Sequence, residues 1–452
     1  MSWNSDEKTS SVARRCLVLH PDVKSLSQFG TFSPSAFREP SSRLEEAISL
    51  SKSIKLDVCM AQVILVNRPK PATLMGSGVV DKFQCYIEQK NIDVVVLDGI
   101  VSPVQQRNLE LAWKAKVIDR TALILEIFGA RARTKEGKLQ VELAALNYQR
   151  SRLVRSWTHL ERQRGGFGFM GGPGESQIET DRRLIDNRIS KLKGQLKEVR
   201  RTRGLHRKAR KRIPYPIVAL VGYTNAGKST LFNNLCNANV FAEDQLFATL
   251  DPTMRSIRLP SGREIILSDT VGFVSDLPHE LVEAFRATLE EVAAADLLLH
   301  IRDVSHVDSE AQKEDVNQVL MNLGVNQTNN LEKELPIPLF EVLNKSDLLS
   351  SSDNEMKSTQ TARKNNEMLL VSAVTGDGVS QLLDAIDHQL SIKRQEINLI
   401  VGWEEGALLT WLYDRGEVLE RKDKNESIKL KVRLDPEDIA RLRRKRVSSG
   451  VI

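Results

Sequence analysis

The segment Gly222-Tyr-Thr-Asn-Ala-Gly-Lys-Ser-Thr230 is where chemistry first becomes legible in this chain. It fits G-x-x-x-x-G-K-[ST], follows the apolar run Ile217-Val-Ala-Leu-Val221 and opens a helical pattern through Leu231, Phe232 and Leu235. Strand, glycine turn and helix form the context that a phosphate loop requires. Gly222, Tyr223, Thr224, Asn225, Ala226 and Gly227 would wrap backbone N–H groups around a phosphate chain, helped by the positive end of the following helix. Lys228 would bridge β- and γ-phosphates, and the Ser229 hydroxyl, with Thr230 beside it, would hold Mg2+. The pattern also matches unrelated glycine turns and ATP-using proteins, so it does not choose the base.

Four further segments follow, and the last two bear on that choice. Asp269 ends the apolar run from Ile265, and Asp269-Thr270-Val271-Gly272 follows the phosphate loop by about forty residues. In nucleotide switches such an aspartate reaches Mg2+ through water, and the glycine N–H senses the γ-phosphate. A strand end and turn is the plain reading of Asp-Thr-Val-Gly. A candidate Mg2+ threonine between the two motifs, Thr249 in Phe247-Ala248-Thr249-Leu250-Asp251, argues against it. Asn344-Lys345-Ser346-Asp347 ends another buried-strand pattern. A carboxylate at Asp347 can accept from both N1–H and the exocyclic amine of guanine, whereas adenine would leave it unpaired, a penalty that separates substrates by orders of magnitude. Ser372-Ala373, with Val374 next, would offer a backbone N–H to guanine O6. Lys228, Thr249 and Gly272 are the candidate catalytic groups. The residue after Gly272 is Phe273, where Ras carries a glutamine that orients the attacking water; slow unaided hydrolysis is the expectation. Asn225 is either a turn residue or a ligand that helps hold K+ beside the phosphates.

Such motifs sit at the ends of parallel strands, so an α/β Ras-like P-loop GTPase domain is expected over 213–393. Ahead of it, Cys16–Leu19, Gln62–Val66, Asp93–Leu97 and Lys116–Ile118 alternate with helical stretches. That βαβ pattern predicts an N-terminal parallel-sheet domain over 39–130, with residues 1–38 as a divergent segment carrying the first strand. Gly76-Ser-Gly78 at a strand-to-helix junction is either a turn or a weak second nucleotide signal. Beyond the GTPase domain, Gly406–Tyr413 reads as a helix and Ile428–Leu434 alternates as a strand, giving a small α+β domain over 394–452. Arg441–Arg446 is a solvated helix end or a second RNA contact.

Charge singles out the middle of the chain. The whole carries +6, but residues 131–212 hold 23 Lys+Arg against 8 Asp+Glu, leaving the remainder acidic. Arg200, Arg201, Arg203, Arg207, Lys208, Arg210, Lys211 and Arg212 lie within thirteen residues without one acid. A solvated helix would intersperse both signs; concentrated positive charge marks a polyanion footprint. Leu139, Leu143, Leu146, Leu153, Trp157 and Leu160 form one apolar seam, and Ile185, Ile189, Leu192, Leu196 and Val199 form another. Two such helices joined by one loop should pair as a long antiparallel helical hairpin. Its tip, from Arg164 to Ser176, is glycine-rich and carries Phe167, Phe169 and Met170. It is either a linker or a loop whose aromatics stack on splayed RNA bases.

These motifs resemble the HflX GTPases of the OBG-HflX superfamily. The resemblance is carried by the phosphate loop, Leu246–Thr253, Asp269–Phe273 and, more specifically, by Arg131–Leu143, Trp157–Gly166 and Gly172–Arg183. It covers roughly residues 40 to 390. It implies a switch that binds the large ribosomal subunit and 23S rRNA, pushes the glycine-rich tip toward the peptidyl-transferase region, and splits or rescues stalled ribosomes. It also implies Mg2+ at Ser229 and Thr249, and hydrolysis stimulated by the 50S particle. An assembly or RNA-remodelling GTPase fits the same features. A tRNA-modifying GTPase fits less well, since such families place a cysteine near the C-terminus and the last one here is Cys236. A membrane-associated switch finds no apolar run of spanning length. Four scattered cysteines make no C-x-x-C pair, so a reducing compartment without zinc is expected. The start lacks the apolar core of a secretory signal. A cytoplasmic monomer is the resulting expectation.

Overall fold

The computed structural model describes residues 13–23, 38–163, 173–210, 215–236, 247, 253–275, 292–322, 337–350, 368–392, 394–423, 427–435 and 438–443. The apolar runs become strands that pair in three sheets. In the first, β1 (Arg15–Val23), β2 (Asp57–Val66), β3 (Val94–Leu97) and β4 (Lys116–Asp119) lie all parallel in the order β2-β1-β3-β4. Strand alternation sends β1 side chains to both faces. Cys16 and Val18 join Ala47, Leu50, Ile124 and Phe128 of α1 (Pro40–Ser53) and α4 (Arg120–Arg131). Leu17 and Leu19 join Val80, Phe83, Leu109 and Trp113 of α2 (Ser77–Lys90) and α3 (Pro103–Trp113). Two apolar faces make a three-layer α/β/α unit.

Caps set two of those helices. Ser102 accepts from the Gln105 N–H while Gln105 bonds back to the Ser102 N–H, a capping box ahead of α3. Asp119 accepts from the Ala122 N–H at 2.8 Å, satisfying an orphan donor at the start of α4. Each cap contributes about 1 kcal/mol.

The second sheet has the order β10-β9-β8-β5-β7-β6. Its strands are β5 (Ile217–Gly222), β6 (Thr253–Arg258), β7 (Glu264–Asp269), β8 (Leu297–Asp303), β9 (Leu339–Asn344) and β10 (Met368–Leu370). Only β6 runs antiparallel to its neighbour. One face packs on α7 (Lys228–Cys236) and α9 (Val379–Ser391) through Leu231, Phe232, Leu382 and Ile386. The other face shares its cluster with the N-terminal unit. Ala219, Val221, Phe273 and Leu298, with Val316 and Leu320 of α8 (Ser309–Asn322), belong to the same core as Leu123, Ile127 and Phe128 of α4. The rings of Phe128 and Phe247 meet edge-on at 4.6 Å. The third sheet, β11 (Gln395–Gly402), β13 (Ser427–Leu434) and β12 (Glu417–Asp423), is antiparallel and packs on α10 (Gly406–Arg415).

In chain order α5 (Lys135–Gln163) and α6 (Pro173–Arg210) follow the first sheet and precede the second. Arg150 pairs with Asp186 and Arg188 with Glu142, a register that only antiparallel helices allow. At 38 residues α6 extends about 57 Å. Its expected seam is buried at Ile189, Leu192 and Leu196. Among the described side chains of α5 the buried ones are Gln140, Val141 and Ala144, while Leu139, Leu143 and Leu146 are half-buried. The heptad reading assumed one partner, but α5 packs on α3 and α4 as well as α6. Tip residues Arg164, Phe167 and Phe169, and the basic residues Lys211 and Arg212, lie outside the described residues.

Leu192 is fully buried between the hairpin helices. Leu192→Ala should cost about 2–5 kcal/mol at that contact. Urea unfolding should show a loss of that order, and an unchanged midpoint would contradict the pairing.

Candidate functional site

The site assembles where β5, β7, β9 and β10 end. Gly222 closes β5 at φ +152°, and a Cβ there would lie 2.2 Å from the Ile301 carbonyl oxygen. Gly227 has φ +88°, and its Cβ would lie 2.2 Å from Asn344 Nδ2. Neither position admits a side chain, so the loop needs glycine at both ends. Asn225 sits between them in the left-handed region (φ +59°), exposed, a conformation asparagine tolerates. Lys228 is buried, and its ammonium donates to the carbonyls of Gly222 (3.1 Å) and Tyr223 (2.7 Å). Burial pushes Lys228 down to about 8, although the Asp269 carboxylate pulls the other way.

Ser229 Oγ donates to Asp269 Oδ2 at 2.7 Å. A hydroxyl and a carboxylate are hard oxygen donors, and their contact across α7 and β7 fits the partial ligand set that Mg2+ accepts while keeping waters and phosphates. Thr270 Oγ1 donates to the Leu220 carbonyl and anchors the same strand end to β5. The backbone then runs across the phosphate loop. Phe273 N–H donates to the Gly222 carbonyl (3.1 Å), and Thr224 N–H donates to the Phe273 carbonyl (2.7 Å). Gly272 is so close that a Cβ would lie 2.9 Å from both Lys228 Nζ and Thr224 Cα. The Phe273 side chain is buried in the core shared with α4. Thr249, Ala248, Leu250 and Asp251 lie outside the described residues, whereas Phe247 is buried against Phe128.

At the other end, Asn344 is buried and uses both amide atoms. Nδ2 donates to the Ala226 carbonyl (2.8 Å), and Oδ1 accepts from the Ala373 N–H (2.9 Å). A guanine O6 would therefore share the Ala373 N–H with Asn344. Asp347 is exposed and accepts from Ser372 Oγ (2.6 Å), which fixes the carboxylate while leaving it open to a ligand. Lys345, at φ +66°, pairs with Asp303 at 2.7 Å, and Val374 is exposed.

Several residues that local motifs do not mark lie against the phosphate loop. The Tyr223 hydroxyl accepts from Arg38 Nη1 (3.0 Å) and from the Ser275 N–H (2.8 Å), and donates to Glu46. Arg120 donates to Asp98 (2.6 Å), to Glu46 (3.0 Å) and to the carbonyl (3.2 Å) and hydroxyl (2.9 Å) of Ser275. A tyrosine beside the first glycine of the loop was the one sequence signal that a partner must cover it.

Strand, glycine loop, Ser–Asp pair and Asn-Lys-Ser-Asp turn thus meet in one place. Family descriptions match in sequence: "GTP-binding GTPase N-terminal" at 41–129, "GTP-binding GTPase Middle Region" at 131–210, "50S ribosome-binding GTPase" at 217–345 and "HflX C-terminal domain" at 357–450. A GTPase HflX of Magnetococcus marinus is 49% identical over 419 residues, 92% of this chain and 94% of that one. The chain belongs to the HflX family of GTPases. The Escherichia coli GTPase HflX is 43% identical over 403 residues, 88% of this chain and 91% of that one. A GTP-binding protein of Sulfolobus solfataricus, solved with GDP, aligns over 84% of this HflX-family chain and 99% of its own, at TM-score 0.43 and 20% identity. Among the described residues no helix is long and apolar enough to cross a membrane.

Phosphate oxygens favour the protonated form of Lys228, so GTP binding near pH 8 should take up a fraction of a proton, about half. Affinity should therefore fall as pH rises past 8. Calorimetry in two buffers of different ionisation heat measures the uptake; identical heats would contradict a depressed lysine.

Proposed function

We propose that this HflX-family chain hydrolyses GTP while bound to the 50S ribosomal subunit, and that its nucleotide state sets the grip of the basic hairpin on 23S rRNA. In that role it splits or rescues stalled 70S ribosomes. Lys228 holds the β- and γ-phosphates, Gly272 offers its N–H to the γ-phosphate, and Asp347 selects guanine. Ser229 and Thr249 would hold Mg2+, with Asp269 behind a water; the metal supplies neutralisation of charge on the transferring phosphoryl group. Asn225, exposed at the loop, is proposed to help hold K+.

The observation that carries the reading is the union of two features in one chain. A nucleotide loop whose Gly272 neighbour is hydrogen-bonded to it supports a state-dependent segment. A long helical pair with a large positive excess supports a polyanion partner. Phe273, buried in a core, offers no group to orient a water, which supports a requirement for the large subunit in hydrolysis. Hydrolysis then frees the segment after Gly272, and the hairpin's hold weakens.

Asp347→Asn should lower the preference for guanine over other bases by about two orders of magnitude in competition binding; unchanged selectivity would remove the base assignment. Deleting 165–174 should leave GTP binding within about twofold and abolish ribosome splitting; splitting that persists would remove the hairpin from the mechanism. Binding to 50S particles should weaken steeply with salt, and a flat dependence would reject rRNA phosphates as its target.

A further inference from the structure

Two adjacent residues, Asp119 and Arg120, face different partners at the start of α4. Arg120 is buried and its guanidinium bonds to Asp98, Glu46 and Ser275, three segments from three parts of the chain. Ser275 lies three residues beyond Gly272, on the backbone that crosses the phosphate loop. Its hydroxyl also donates to Glu46 (3.1 Å) and its N–H to Tyr223. Burial opposes a charge on Arg120, but the Glu46 and Asp98 carboxylates hold its pKa well above the ordinary value. Asp119, one residue earlier, grips the hairpin instead. Its carboxylate caps α4 through Ala122 and accepts from the Tyr148 hydroxyl (2.7 Å) and Arg152 Nη1 (2.9 Å), both on α5. Arg152 also stacks over the Tyr148 ring at 5.0 Å and bonds to Gln106 of α3.

We propose that the Asp119-Arg120 pair is the joint that carries nucleotide state from the segment after Gly272 to the base of the hairpin, with Arg120 a positioning residue on the switch side and Tyr148 its counterpart on α5. A buried guanidinium cannot lose an acceptor without a large penalty, so it follows Ser275 when that segment moves. The neighbouring Asp119 must then shift with the first turn of α4. Its two bonds to α5 transmit the shift to a helix that continues eleven residues beyond Arg152 toward the tip. Simple packing glue would hold the two units together without responding to nucleotide. The joint rests on the reading that nucleotide state reaches the hairpin, but its test needs no ribosome, so each can fail alone.

The experiment is hydrogen exchange by mass spectrometry on the full chain, saturated with Mg2+ and either GDP or a non-hydrolysable GTP analogue. The unaltered chain should show an exchange difference between nucleotides of about threefold or more in peptides covering 119–131 and 135–152. Arg120→Lys, which keeps the charge but not the fork, and Ser275→Ala should retain the difference at 270–275 and lose it in 135–152. Tyr148→Phe should retain it in 119–131 and lose it only in 135–152. Thermal melts of the three variants identify any that fail to fold, and the mildest, Tyr148→Phe, removes one oxygen. A nucleotide difference in 135–152 that survives in the folded variants, or its absence in the unaltered chain, overturns the joint. Lost 50S binding with an intact exchange pattern would instead fault the ribosomal reading.

Discussion

Two backbone hydrogen bonds between Phe273 and the phosphate loop are the constraint on which the rest of this structure depends. They bring Gly272 within reach of Lys228 and commit the Phe273 side chain to a core shared by two sheets. A segment held so tightly on one side by the nucleotide loop and on the other by apolar burial cannot rearrange at either end alone. Packed interiors respond to such demands by switching between arrangements rather than by yielding gradually. The N-terminal unit packs on that stretch and bonds to it through Ser275, so a rearrangement after Gly272, as proposed for the switch, would be felt there.

Burial of charge gives the contact its specificity. Arg38, Glu46, Arg120 and Asp98 would each be costly to bury alone, but every one has a charged or hydroxyl partner. Such a network contributes little net stability relative to apolar packing, and its value lies in demanding one geometry. Arg263 and Arg394 make a similar demand at the far end of the chain, where both bond to Asp435 between α9 and the third sheet. Both flanking units are thus oriented by buried arginines, while the apolar clusters supply most of the burial.

Much of this was legible from residue order, and the limits have physical causes. The glycine loop, the Asp269 and Asn344 strand ends and all four N-terminal strands announced themselves because each depends on neighbours a few residues away. The apolar seam of α6 was also legible, since that helix has one main partner. On α5 the seam was displaced toward Gln140, Val141 and Ala144 because a second face meets α4. The network around Tyr223 left almost no trace. Glu46 and Ser275 are 229 residues apart, and Arg120 and Ser275 are 155 apart, so no local spacing could pair them. The Ser372-Ala373 segment was expected to offer a backbone N–H to guanine O6, and the Ala373 N–H donates to Asn344 Oδ1, a tie between distant segments that the motif does not announce. A buried amide oxygen needs a donor whether or not ligand is bound.

The charge division gives these geometric links their purpose. Positive charge is gathered on the hairpin while the remainder of the chain is acidic, so a modest reorientation of one element changes how the molecule meets a polyanion. The most direct measurement is co-sedimentation of the purified chain with 50S particles at fixed salt, with a non-hydrolysable GTP analogue and then with GDP. The account predicts that the chain pellets with the particles in the first case and stays in the supernatant in the second. Equal partitioning in both would contradict it.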